Sequence, residues 1–129
     1  MRKVEGLLIE HMYAWENFNL SNTSLEVITD SQGVNQYCIV KLFGNDIAAW
    51  DGETLNITMA GWDTRTTKSR LHALLSEFTG PTGHNMAIRR IKGQDYLVDL
   101  TANIYHEMDP EDIYSIGYEI RLVPELNQF

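Results

Sequence analysis

Between Gly61 and Pro81 the apolar positions recur with the period of a helix, and start, face and stop signals agree. Leu71, Leu74, Leu75 and Phe78 fall at i, i+3, i+4 and i+7, which paints one apolar stripe on a 3.6-residue repeat. Asp63 or Thr64 supplies an N-cap oxygen for a free N–H of the first turn, and Gly80-Pro81 stops the run. The spacing predicts a central helix over about residues 64–79. A weaker stripe of Val4, Leu8, Met12 and Trp15 predicts an N-terminal helix over about residues 4–18, diluted by Gly6 and the β-formers Tyr13 and Phe18.

Elsewhere the pattern is that of strands. Residues 25–30 and 35–43 flank Ser31-Gln32-Gly33 as a hairpin, Gly44-Asn45-Asp46 makes the next turn, and residues 47–50 and 54–60 flank Asp51-Gly52. Leu55, Ile57 and Met59 alternate with Asn56 and Thr58, which predicts a strand with one wet face. After the helix, residues 86–91 and 96–100 flank Lys92-Gly93-Gln94-Asp95, and residues 118–123 form a last strand of the same sheet. The expected class is α+β: one antiparallel sheet built from successive hairpins and packed by the central and N-terminal helices. No linker or repeat divides the chain, so residues 1–129 are expected to form a single domain.

At 129 residues such a domain buries roughly two-thirds of its unfolded surface, enough for one core without staples. The single Cys38 sits in an apolar run and reads as a buried, inert thiol, consistent with a reducing cytoplasmic compartment. The first apolar run ends at Ile9, so neither a signal peptide nor a membrane span is expected.

Charge changes the picture more than composition does. The net charge of −8 disfavours nucleic-acid binding by the chain as a whole. Between residues 65 and 92, however, Arg65, Lys68, Arg70, Arg89, Arg90 and Lys92 face the single acid Glu77, a local +5, which leaves −13 on the rest. Either two faces serve different partners, or the basic stretch neutralises acids within the fold.

Thr64, Thr66, Thr67 and Ser69 place four hydroxyls around the start of the central helix, beside Arg65, Lys68 and Arg70. Free N–H groups and the positive dipole end make this a candidate anion or partner site, with Arg90 and Lys92 on one strand face extending it. The plainer reading is that the threonines cap the helix. Lys68 is expected on the outward side of the first turn. Glu107, Asp109, Glu111 and Asp112 form the sharpest acidic run, either a solvated loop or a negative surface for a basic patch on another protein. Trp15, Trp50 and Trp62 read mainly as core or strand residues, some of them able to anchor an interface.

His11, His72, His84 and His106 lack metal-ligand spacing, and no Gly-x-Ser-x-Gly elbow or Cys–His pair points to nucleophilic catalysis. No cofactor, metal or catalytic residue is assigned.

The segment Gly61-Trp62-Asp63-Thr64-Arg65-Thr66-Thr67-Lys68-Ser69-Arg70-Leu71, preceded by a Leu-Phe-Gly-Asn turn and Ile47-Ala48-Ala49-Trp50, resembles a group of short proteins encoded by tailed bacteriophages. In that group a G-W-x-T-x-T-T-x-x-R-L-N segment opens a helix and a hairpin follows; His72 replaces the final Asn here. The resemblance covers about residues 37–100, with the ends private to this chain. It implies a phage origin and the cytoplasm of a bacterial host, and no settled activity. The expected function is a small protein that engages and inhibits a host protein complex stoichiometrically. The rival is a nucleic-acid or phosphate-binding accessory protein using Arg65, Lys68, Arg70, Arg90 and Lys92. The oligomeric state is left open.

Overall fold

The computed structural model describes residues 2–126. Helix α1 (Lys3–Ala14) buries Glu5, Leu8, Ile9 and Met12, a stripe spaced i, i+3, i+4, i+7. It ends short of the expected residue 18 because Trp15 turns left-handed at φ 54 and returns its N–H to the last carbonyls. Phe18 then opens a short strand. Helix α2 (Arg65–Phe78) starts where its cap dictates: Thr64 Oγ1 accepts from the Thr67 N–H at 3.2 Å. Leu71, Leu74, Leu75 and Phe78 are buried as their spacing predicts.

Strands β1 (Phe18–Leu20), β2 (Thr23–Thr29), β3 (Asn35–Leu42), β4 (Asn45–Trp50) and β5 (Leu55–Thr58) lie side by side in chain order, all antiparallel. Strands β6 (Met86–Ile91), β7 (Gln94–Asp99) and β8 (Ile104–Met108) form a second, three-stranded sheet. Strands β9 (Ile113–Ile116) and β10 (Ile120–Val123) then return to the first sheet, giving it seven strands in the order β1-β2-β3-β4-β5-β9-β10. The class is α+β with antiparallel sheets, but the strands after α2 do not all extend one sheet as the pattern predicts. β9 takes the free edge of β5, with Ile57 opposite Tyr114. The β6–β8 meander packs through β6 on α2 and contributes Met86, Leu97 and Met108 to the common core.

The expected wet face of β5 is also absent. Asn56 and Thr58 are both buried, because β5 is an interior strand whose second face is covered: the Asn56 amide donates to the Leu126 carbonyl at 2.6 Å. Between helices and sheet lies one apolar cluster that includes Met12, Val40, Ile57, Leu74 and Ile116. Trp50 stacks on Trp15 at 5.3 Å and touches Phe78 at 4.5 Å, which locks α1 and the end of α2 onto β4. Cys38 is fully buried, and burial pushes its thiol up to about 12, so it stays a thiol.

Candidate functional site

Of the four hydroxyls at the start of α2, those of Thr64 and Thr67 are turned to capping and that of Ser69 to Glu5, while Thr66 is half-buried. Thr64 Oγ1 and Thr67 Oγ1 lie 2.9 Å apart, and Thr67 is buried. Arg70 points inward and is almost fully buried. Its Nη1 donates to Glu5 Oε2 at 2.7 Å, its Nε to Thr23 Oγ1 at 3.0 Å, and its Nη2 to Asn22 Oδ1 at 3.3 Å. Ser69 Oγ donates to the same Glu5 oxygen at 2.7 Å. Burial pushes the Glu5 carboxyl up, but hydrogen bonds from Ser69, the Arg2 N–H and Arg70 outweigh it and hold the group below its ordinary value. This network joins α1, β2 and α2 and removes Arg70 from any surface.

Lys68 does not point freely outward. Its Nζ lies 3.0 Å from Asp95 Oδ1, and the Asp95 side chain is 4% exposed. Arg90, on β6, reaches both Asp63 at 3.3 Å and Asp95 at 3.4 Å. Three of the six cations in the basic stretch are therefore spent on acids of the fold. Arg65, Arg89 and Lys92 are exposed and enter no ion pair among the described residues. Lys92 sits at φ 51 in the β6–β7 turn and is not a strand partner of Arg90. Beside α2 runs an open groove of about 920 Å³, lined by Arg2, Arg65, Lys68 and His72 among others.

The acidic run straddles the end of β8 and the loop into β9. Glu107, Asp109 and Glu111 are exposed. Asp112 is half-buried and accepts from the Tyr114 hydroxyl at 3.3 Å, while that hydroxyl also donates to the Glu107 carbonyl at 2.6 Å. Burial and then the charge of Asp112 push the Tyr114 phenol up to about 12, so it remains a donor. The four acids therefore share one end of the fold, Asp112 being partly structural.

Among the described residues no three His, Cys, Asp or Glu side chains converge as metal ligands would. His84 Nδ1 lies 2.8 Å from Asp99 Oδ2, and Asp99 Oδ1 accepts from the N–H groups of Thr101 and Ala102. Burial raises the Asp99 pKa, yet these hydrogen bonds and the His84 charge leave it lowered. The pair pins the loop before β6 to the end of β7. No helix among the described residues is long and apolar enough to cross a membrane.

Trp62, read from sequence mainly as a core or strand residue, stands instead on the surface in the segment before α2, beside Phe43, which the pattern placed at the end of a strand. Phe43 and Trp62 are 72% and 60% exposed and rim an apolar pocket of about 290 Å³. Both stand at tight turns, Phe43-Gly44 between β3 and β4 and Ala60-Gly61 after β5. The available signal was the Phe-Gly dipeptide, since a two-residue hairpin of this kind places its first residue at positive φ and its side chain outside.

The chain matches the family model described as Kyanoviridae Gp96 protein over residues 1–118. The match begins well before residue 37, so the N-terminal part is not private to this chain as the resemblance suggested. No curated protein and no solved structure matches it.

Proposed function

The chain belongs to the Kyanoviridae Gp96 protein family, a bacteriophage family, and on that premise we propose that it is a small binding protein acting stoichiometrically on a host protein complex. Inhibition of that complex, for host takeover or counter-defence, is the outcome such an interaction would serve. The supporting observation is the use of charge. Lys68 and Arg70 are held by the buried acids Asp95 and Glu5, and Arg90 by Asp63, so fewer cations of the basic stretch are open to a partner than the sequence order suggests, while Asp109 and Glu111 stay exposed. Exposed Asp109 and Glu111 beside Asp112 attract a basic protein surface and repel nucleic-acid phosphates. Affinity capture from host lysate tests this: a specific host protein should be recovered in near-equal amount, and its activity should fall as the phage protein is added. Recovery of no specific partner removes the proposal.

A second reading, phosphate or nucleic-acid binding, is favoured by the groove alongside α2. Arg2 and Arg65 stand there free of ion pairs among the described residues, with His72 on the same wall. Retention on heparin and mobility shifts at low and moderate salt distinguish the two readings. Binding that weakens with Arg2→Ala and Arg65→Ala, with a shallower salt slope, would support the groove.

A further inference from the structure

We propose that the pocket between Phe43 and Trp62 is the docking site of a protein partner, and that it receives one bulky apolar side chain flanked in the partner by Arg or Lys. The proposal rests on the protein-binding reading above and names its site. Phe43 is held at φ 50 with Gly44 at φ 79, closing the Leu42–Asn45 pair of the β3–β4 hairpin. A bulky residue is disfavoured at such a φ, and the position suits Asn, Asp or Gly. The fold nevertheless fixes it: the Phe43 N–H donates to the Asn22 carbonyl at 2.8 Å. The ring gains no burial in return, being 72% exposed. An unburied aromatic in a strained backbone points to a use outside the fold.

Trp62 stands just after a second turn of this kind, its own backbone unstrained. Ala60 and Gly61 are at φ 53 and 84, and the Trp62 N–H closes the turn on the Met59 carbonyl at 2.8 Å. With the two rings, the mostly apolar Leu42, Ile47, Met59 and Thr67 and the exposed Asn45 and Thr64 complete the lining. The hydroxyl of Thr67 is already hydrogen-bonded to Thr64, so the interior asks for an apolar guest. At about 290 Å³ the pocket has room for one large side chain and stands at the small end of the usual range of binding sites.

The surroundings choose the guest's neighbours. The Gly61 N–H donates to the Pro110 carbonyl at 2.8 Å, which ties the Trp62 turn directly to the acidic loop carrying Asp109 and Glu111. An apolar centre with aromatic rims, joined on its Trp62 side to an acidic loop, matches an anchor residue with a cationic flank, whose guanidinium or ammonium also suits the ring faces. The same loop repels a second copy of this chain, net charge −8, and the phosphates of nucleic acid.

Selection of short random peptides against the full-length chain tests the site. Enriched peptides should carry a bulky apolar residue flanked by Arg or Lys, and should lose about tenfold or more in affinity for Phe43→Gly and for Trp62→Ala. Phe43→Gly puts the residue best suited to φ 50 in place of the ring, so an unchanged or higher melting temperature separates loss of the site from loss of the fold. Absence of binders, binders without this pattern, or equal affinity for both variants overturns the proposal. So does self-association, or oligonucleotide binding, that disappears with Trp62→Ala. If the wild type and the double variant capture the same host protein equally, the pocket is wrong while the protein-binding reading stands; if the wild type captures none, that reading falls.

Discussion

Arg70 is the residue whose role reverses most between sequence and structure. Removing one member of a buried ion pair leaves the other charge uncompensated, so Arg70→Ala is expected to destabilise by roughly 3–5 kcal/mol, measured by urea denaturation. A loss within about 0.5 kcal/mol, the usual range for an exposed site, would return Arg70 to the surface. The pairs also predict an acid limb. Glu5 and Asp99 have folded-state pKa values below their ordinary values of 4.5 and 3.8, so the folded state binds fewer protons there than the unfolded chain. The stabilisation is complete above those ordinary values and is lost as pH falls below them through the lowered ones. Urea midpoints should therefore drop less steeply than in the unaltered chain below pH 4.5 for Glu5→Gln and below pH 3.8 for Asp99→Asn. Equal slopes in all three would assign acid unfolding to other carboxylates. The N-cap role of Thr64 was legible, because cap and recipient are three residues apart. The inward turn of Arg70 was half legible. It stands four residues before Leu74 on the apolar stripe, as Glu5 stands three before Leu8, but a partner 65 residues away leaves no local mark.

At the scale of elements, α2 carries the contact between both sheets, and Leu74 is fully buried on its inner face. Leu74→Ala is expected to cost roughly 2–5 kcal/mol through lost burial and a residual cavity. Against a typical stability of about 5–15 kcal/mol, chemical denaturation resolves such a change easily, and a negligible loss would mean the helix is turned the other way. Helix α2 and the hairpins at residues 31–33, 51–52 and 92–93 were legible because period, cap and turn chemistry are local properties. Strands β8 and β9 were not, since the acidic run begins inside β8 and ends just before β9, and neither strand shows a long alternating pattern. Their assignment to different sheets was not legible either. It depends on which free edge β9 meets, and Leu55 lies opposite Ile116 across a separation that no hairpin rule governs.

For the whole molecule the decisive quantity is how charge is distributed once the chain has folded. Sequence order set a basic stretch over residues 65–92 against an acidic remainder; folding pairs Lys68, Arg70 and Arg90 with acids of the fold and leaves Asp109 and Glu111 open on the loop tied to the Trp62 turn. Which cations would be spent was not legible, because the acids that hold them come from α1, β7 and the segment before α2. Exposed rim charges act mainly on the rate of encounter, and their effect is screened within about 10 Å at 0.1 M salt. Asp109→Asn combined with Glu111→Gln should therefore slow association with a captured host partner, flatten its dependence on ionic strength, and leave the dissociation rate nearly unchanged. Asp112 is kept in that variant because it holds the Tyr114 hydroxyl, and its loss would mix folding with binding. Stopped-flow association at low and high salt reads the result. An unchanged on-rate and salt slope would place the interface away from this loop, whereas a faster dissociation would mean that the two carboxylates sit in the contact itself rather than at its border.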